Sequence, residues 1–323
     1  MTGYVSKRLL QGLVVLAAVS FISFAIFQYL GDPVVTLAGQ YATEAERAEL
    51  RRLLGLDQPV SVQYARFVAN AVQGDLGMSY VARVPVLGLI LERLPASLEL
   101  AVAAELFAVV LGVLLGALAA AYPRSPLSQV TMTGSLLGIS LPTFIVGILL
   151  ILVFSVGLGW LPPFGRGEVV PVLGGSWKTG VLTASGLRHL VLPALTLGMF
   201  QLALLFRLTR GGVLEALQMD YVRTARAKGL GQRSVLFKHV LRNVLIPVVT
   251  IVGLQLGQLI GFSIVTESIF QWPGAGSLLL ASIFESDFPV VAAYVMVVAL
   301  AIVGLNLLVD ITYALLDPRI RYR

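Results

Sequence analysis

Apolar residues along this chain gather into blocks of about 20, separated by shorter polar stretches. The blocks run from about Gly12–Leu30, Leu98–Ala121, Ser135–Phe154, His189–Phe206, Val244–Val265 and Val290–Leu315. At 1.5 Å per residue each is long enough to cross a hydrocarbon core. Lipid offers the backbone no hydrogen-bond partner, so each block must cross as a helix. The pattern predicts an all-α polytopic membrane protein with six transmembrane helices. The first block follows Lys7 and Arg8 and ends at Gly31-Asp32-Pro33, where a helix should stop. Its apolar core is long and no small-x-small site follows closely, so it reads as a retained span rather than a cleaved signal.

Two features lie outside or across this simple alternation. Residues 31–97 are too long for a connector. Leu50, Leu53 and Leu54 stand at helical spacing behind Thr43, Glu44, Glu46 and Glu49, and Tyr64, Phe67, Val68 and Val72 repeat that spacing. A small external cap of short helices is expected there. The fifth block carries Gly253, Gly257 and Gly261, a close-packing face, with Gln255, Gln258 and Thr266 on roughly the opposite side. That polar face is the candidate lining of a path, against the alternative of ordinary interhelical hydrogen bonding. Gly112 with Gly116, and Gly134 with Gly138, repeat the glycine spacing.

Charge then sets the orientation. The chain is 57% hydrophobic and only 12% charged, with a mean hydropathy of +0.89 and a formal charge of +6. Between the fourth and fifth blocks stand Arg207, Arg210, Arg223, Arg226, Lys228, Arg233, Lys238 and Arg242, against Glu215 and Asp220. The tail adds Arg319, Arg321 and Arg323, whereas the loop before the sixth block holds Glu267, Glu285 and Asp287 and no cation. Both termini are therefore expected in the cytoplasm. The positive charge belongs to the membrane surface, and nucleic acid is not expected as a partner.

Chemistry is sparse. The chain has no cysteine, no phosphate-binding GxxxxGK[ST] loop and no HExxH. Its two histidines, His189 and His239, fall on opposite membrane faces and cannot share a metal or serve one hydrolytic site. No catalytic, cofactor or metal residues are expected. Inside the spans the ionisable residues are Glu99, Glu105 and Asp310, for which structural pairing is favoured over a lining or proton-coupling role.

The stretch Met219-Asp220-Tyr221-Val222-Arg223-Thr224-Ala225-Arg226-Ala227-Lys228-Gly229-Leu230 predicts a two-turn helix. Asp220 is read as its N-cap and Gly229 as its C-cap, with Lys228 in the last turn. Such a helix is marginal alone. Tyr221, Val222 and Ala225 form an apolar patch beside Arg223 and Arg226, which points to a docking element for a cytoplasmic partner.

Several stretches carry a resemblance. They are Leu54-Gly55-Leu56-Asp57-Gln58-Pro59, Gly74-Asp75-Leu76-Gly77, Arg93-Leu94-Pro95-Ala96-Ser97-Leu98-Glu99-Leu100, Tyr221 to Gly229, Leu241-Arg242-Asn243-Val244-Leu245-Ile246-Pro247, and Glu267-Ser268-Ile269-Phe270-Gln271-Trp272-Pro273-Gly274-Ala275-Gly276. In these the chain resembles the permease subunits of ATP-binding-cassette importers of the dipeptide, oligopeptide and nickel type. Such permeases share a cytoplasmic signature of EAA, three residues, G, nine residues and I-x-L-P. Aligned on Gly229, only Ala225, Gly229 and Leu241 match, and Pro247 comes five residues late. The departure looks like the peptide-importer version.

The resemblance implies a type I importer permease, with an N-terminal span over 1–30, an external segment over 31–97, a five-helix core over 98–315 with a coupling loop at 208–243, and a tail at 316–323. It implies that Asp220 to Leu230 is the coupling helix, with Asp220, Tyr221, Val222, Arg223, Thr224, Ala225, Arg226, Lys228 and Gly229 facing an ATPase groove. The implied partners are a second homologous permease, two cytoplasmic ATPase subunits that hold the ATP and Mg, and an external solute-binding protein. Glu267, Trp272, Pro273 and Gly274 are candidates for an external gate or a contact with that protein. Peptides are the expected cargo, with nickel, glutathione, opines or sugars as alternatives. A self-sufficient carrier is the competing class.

Overall fold

A computed structural model describes residues 2–29, 34, 38, 42–53, 55–172 and 177–316. Three sequence features lie outside these: the stop at Gly31-Asp32-Pro33, Leu54, and the tail arginines Arg319, Arg321 and Arg323. The chain forms two compact units, Met1–Pro95 with Gly274–Arg323, and Ala96–Pro273.

In the first unit, α1 (Thr2–Tyr29) runs antiparallel to α12, which is numbered ahead here and spans Phe288–Leu316. The direction follows from two contacts: Arg8 Nε meets Asp310 Oδ2 at 3.0 Å, and Gly12 lies against Val303. The external segment supplies α2 (Glu44–Leu53) and α3 (Val60–Val72), as the helical spacing predicts. A capping box starts α2: the Thr43 N–H and hydroxyl donate to Glu46 Oε2 at 2.8 and 2.9 Å, and the Glu46 N–H returns to Thr43 Oγ1 at 3.3 Å. Those donors, the backbone N–H foremost, hold the Glu46 carboxyl below its ordinary pKa. Tyr64 and Phe67 of α3 pack on α1, with Tyr64 and Ser20 hydroxyls 2.8 Å apart and both rings against Phe24. Val72, by contrast, stays 83% exposed. The short helix α11 (Ala275–Phe284) packs on α12.

The second unit takes most of α4 (Val86–Ala121) and continues through α5 (Pro126–Ser140) and α6 (Thr143–Leu150, running on in π-helical turns over Ile151–Gly157). A small antiparallel hairpin, β1 (Val170–Val172) with β2 (Trp177–Thr179), precedes α7 (Ala184–Ala216). Then come α8 (Asp220–Ala227), α9 (Gln232–Ser234, a short lead-in) and α10 (Leu241–Ile269), the last two joined by π-helical turns over Val235–Val240. Among the described residues, five helices are long and apolar enough to cross a membrane: α1, α4, α7, the continuous α9–α10 rod and α12. The single span expected over Ser135–Phe154 is instead divided at Leu141-Pro142. Pro142 has no N–H and sits at φ −57°, ψ 137°, outside the helical region, as the cap of α6.

Glycine fixes how α4 meets α7. A Cβ on Gly198 would meet Ala104 O at 2.7 Å, one on Gly112 would meet Leu205 Cβ at 2.9 Å, and one on Gly116 would meet Phe206 O at 2.6 Å. Backbone therefore touches backbone along the seam, the arrangement small residues permit in membranes. The partners rise together in number, so α4 and α7 are parallel. Gly138 lies against Ala203, and Gly147 against Thr196, so α5 and α6 together run antiparallel to α7.

Gly116→Val forces atoms into the Phe206 carbonyl, and we expect it to destabilise the protein by about 1–3 kcal/mol, read as a lower thermal midpoint in detergent. Gly134→Ala, with nothing within 4 Å of the added carbon, should leave the midpoint unchanged or slightly higher.

Candidate functional site

Helix α8 is too short to hold itself together and is held from below. Val222 is fully buried and Ala225 nearly so. They join one cluster with Val113, Ala117 and Ala120 of α4, Val213 and Ala216 of α7, and Val235, Val240 and Val244 around the start of α10. The cluster gathers the ends of three long helices under eight residues. This corrects the apolar patch read from the sequence: Val222 and Ala225 face inward, while Tyr221 is 39% exposed. The outward face is Tyr221, Arg223, Thr224, Arg226, Ala227 and Lys228, all exposed.

The caps are also partly corrected. Met219, not Asp220, is the N-cap, and no side chain closes that end. Asp220 is the first helical residue, where its charge suits the helix dipole, and it lies 3.4 Å from Arg223 in an exposed i,i+3 pair of little energetic consequence. Gly229 does end the helix. It sits at φ +80°, and the N–H groups of Gly229 and Leu230 return to Arg226 O and Ala225 O.

The opposite end of the second unit is polar and buried. Glu267 has no exposed surface and accepts hydroxyl hydrogen bonds from Ser97 at 2.6 Å and Ser263 at 2.8 Å. Trp272, 1% exposed, donates its Nε1–H to Ala96 O at 2.9 Å. Glu267 and Trp272 thus tie the last turn of α10 and the loop after it to α4. Gly274 is buried and Pro273 half-buried. Beside them, Arg166 donates to Glu99 Oε2 and to Lys178 O, both at 2.7 Å, with its guanidinium 5.9 Å from the Trp272 ring centre. Sequence reasoning missed Arg166. Its signal was present: it is the one cation between Leu158 and Trp177, a stretch whose only other charged residue is Glu168.

Pairing, expected for the three ionisable residues of the spans, holds for Glu99 with Arg166 and for Asp310 with Arg8. Glu105 differs: it is 5% exposed, and neither carboxylate oxygen has a partner among the described residues. Of the three residues read as a polar face, Gln255 and Thr266 are buried and Gln258 is exposed. Gln255 Oε1, Thr266 Oγ1 and Gln201 Oε1 also lack partners among the described residues. The α4–α7 seam puts Glu105 level with Met199, one helical turn or less from Gln201.

Helices this long and apolar mark an integral-membrane component. Residues 112–322 match the family described as the binding-protein-dependent transport system inner membrane component, and residues 1–101 match its N-terminal part. The chain belongs to this family and is an inner-membrane permease component. It is 43% identical over the whole of both chains to the glutathione transport system permease protein GsiC of Escherichia coli (strain K12). With the same full coverage it is 41% identical to the di/tripeptide transport system permease protein DppB of Pseudomonas aeruginosa (strain UCBPP-PA14).

The side chains of Arg166 and Glu99 are both more than nine-tenths buried, so removing one partner strands the other. Arg166→Ala should cost about 3–5 kcal/mol in an unfolding measurement, whereas Arg166→Met combined with Glu99→Leu should recover most of it.

Proposed function

We propose that this chain is one of two membrane-spanning subunits of an ATP-driven importer and forms half of the path for short peptides delivered by an external solute-binding protein. Two cytoplasmic ATPase subunits, holding ATP and Mg, and a second homologous permease complete the assembly. The observation that carries the reading is the seat of α8. A helix whose apolar side is locked onto the ends of α4, α7 and α10, and whose aromatic and cationic side is left outward, is built to receive force from a partner. Closure of the ATPases on ATP would shift α8 and, through one packed cluster, three long helices at once.

Six crossings with both ends in the cytoplasm fit the packing directions. Parallel α4 and α7 cross the same way, so the chain between them must return. The pair α5–α6, antiparallel to α7, is the segment available to do so, as one crossing broken at Pro142. The excess of Lys and Arg around α8 supports a cytoplasmic side for that end. Glu105, Gln201 and Gln255 then lie within the bilayer as polar groups needing partners, which water or cargo in the path supplies. Gln255, Gln258 and Thr266 are assigned to the path, and Glu267, Trp272, Pro273 and Gly274 to an external gate or a contact with the solute-binding protein. Peptide cargo rests on the relatives named for di/tripeptides and for glutathione, itself a tripeptide.

The chain has no cysteine, so single introduced thiols report position cleanly. Thr224→Cys should react with an impermeant maleimide only from the cytoplasmic side of oriented vesicles, and Gln73→Cys only from outside; the reverse pattern overturns the orientation. Tyr221→Ala or Arg226→Glu should lower peptide uptake at least about tenfold while the chain still inserts. Unchanged uptake would remove α8 from the coupling path. Gentle affinity purification should recover a second permease and ATPase chains, and a chain that remains alone after crosslinking would leave an independent carrier.

A further inference from the structure

The first unit contains a cleft of about 810 Å³. Its walls come from α3, the loop before it and the turn from Asp75 to Arg83, and its floor is Phe24 of α1 with Pro289, Ala292, Ala293 and Met296 of α12. That volume lies within the range of small-molecule sites, about 300–1,000 Å³.

The walls are fixed. Asp287, at the start of α12 and 3% exposed, accepts the Ser79 hydroxyl and the Tyr80 N–H at 3.0 Å, and Ser79 Oγ in turn accepts the Ala82 N–H at 2.8 Å. On the other side Gln63 donates to Leu56 O and Gln58 O at 3.2 and 2.8 Å, closing the loop that leads into α3. This bracing holds Arg83 at φ +56°, a left-handed conformation costly for any residue but glycine. A charged residue kept there beside a cleft is placed rather than merely tolerated.

Two cations, Arg66 from α3 and Arg83 from the turn, line the cleft, and neither guanidinium has an ion-pair partner among the described residues. Asp75 lines it as well, with Oδ1 accepting the Gly77 N–H at 3.0 Å. The cleft therefore offers two positive groups, one negative group and an apolar floor of aromatic and aliphatic side chains. An anionic lipid would meet the Asp75 carboxylate as a like charge. A zwitterion with an apolar body finds a counter-charge for each pole.

We propose that this cleft binds short peptides with a free C-terminal carboxylate, held by Arg66 and Arg83, and so forms an outer way-station for cargo on the permease itself. The assignment rests on the peptide-importer reading given above. Guanidinium–carboxylate bonds are charge-assisted, so loss of either arginine weakens binding at least about tenfold.

The test is equilibrium binding of radiolabelled alanyl-phenylalanine to the whole permease–ATPase complex in phosphatidylcholine nanodiscs, without the solute-binding protein. Saturable binding is expected, at least about tenfold weaker for the C-terminal amide of the same dipeptide, and weakened similarly in Arg66→Gln and Arg83→Gln. Arg52→Gln, an equal change of charge on an exposed residue outside the cleft, should bind as the unchanged protein does. The amide comparison needs no variant and stands even where a variant fails to fold. Equal binding of acid and amide, or displacement of the dipeptide by added phosphatidylglycerol, overturns the assignment, the latter making the cleft a lipid site. ATP-driven uptake in vesicles, with the binding protein added, separates the two levels. Uptake without direct binding removes the cleft alone, and no uptake of any short peptide removes the cargo reading beneath it.

Discussion

Apolar side chains gain nothing by leaving lipid for one another, so helices in a bilayer are held by close approach and by polar contacts. In this protein such a close approach forms the α4–α7 seam, where Gly112, Gly116 and Gly198 bring backbone against backbone. The rest of the second unit is arranged from it. The seam makes the two helices parallel, which obliges α5 and α6 to run back between them. It brings Ala117 and Ala120 beside Val213 and Ala216, and that floor is what Val222 and Ala225 bury against. Side chains larger than glycine at these points would part the helices and take away the seat of α8.

That seat explains why a two-turn helix persists at all. Eight residues provide too few intrahelical bonds to offset nucleation. Its N-terminus lacks a side-chain cap, and only the Gly229 end is closed. Tertiary burial of two side chains supplies the difference, at roughly 0.8 kcal/mol per buried methylene. The consequence is mechanical as well as energetic, because a helix stabilised by its floor cannot shift without moving that floor or separating from it.

Much of this was legible in the sequence, and the failures have physical causes. Long apolar runs identified five spans because length and hydropathy are local properties. The block over Ser135–Phe154 reads as one continuous helix in the sequence because Pro142 lies inside an apolar run, and hydropathy is blind to a missing N–H. The helix at 220–227 was found from its composition and from Gly229. Its inward and outward faces were misjudged because Tyr221, Val222 and Ala225 look alike on a wheel, and only the positions of α4, α7 and α10 decide which of them is covered. Arg166 was missed because its partner Glu99 lies 67 residues away in sequence. Likewise nothing local in the sequence pairs Arg8 with Asp310, or places Arg66 and Arg83 along one cleft.

The Glu267 end bears on how a push at α8 would travel. Ser97 and Ser263 share one carboxylate oxygen, and Trp272 is hydrogen-bonded to the backbone of α4 at Ala96. Separating α4 from α10 at that end would take Ser97 from the buried Glu267 carboxylate, which keeps Ser263 of its own helix, and Ala96 O from the Trp272 Nε1–H, at about 1–3 kcal/mol for each lost partner. The Arg166 guanidinium, over the Trp272 ring and paired with Glu99, would lose its surroundings in the same movement. At the α8 end, α4 and the α9–α10 rod meet through the apolar cluster and one long, exposed hydrogen bond, from Gln232 Nε2 to Ala121 O at 3.4 Å, and breaking these contacts strands no buried charge. The fold is therefore stiff where Glu267 stands and compliant where α8 is seated. A displacement of α8 is then expected to swing α4 and α10 about the Glu267 end rather than to open that end directly. Opening it requires the carboxylate to replace the Ser97 hydroxyl with another donor.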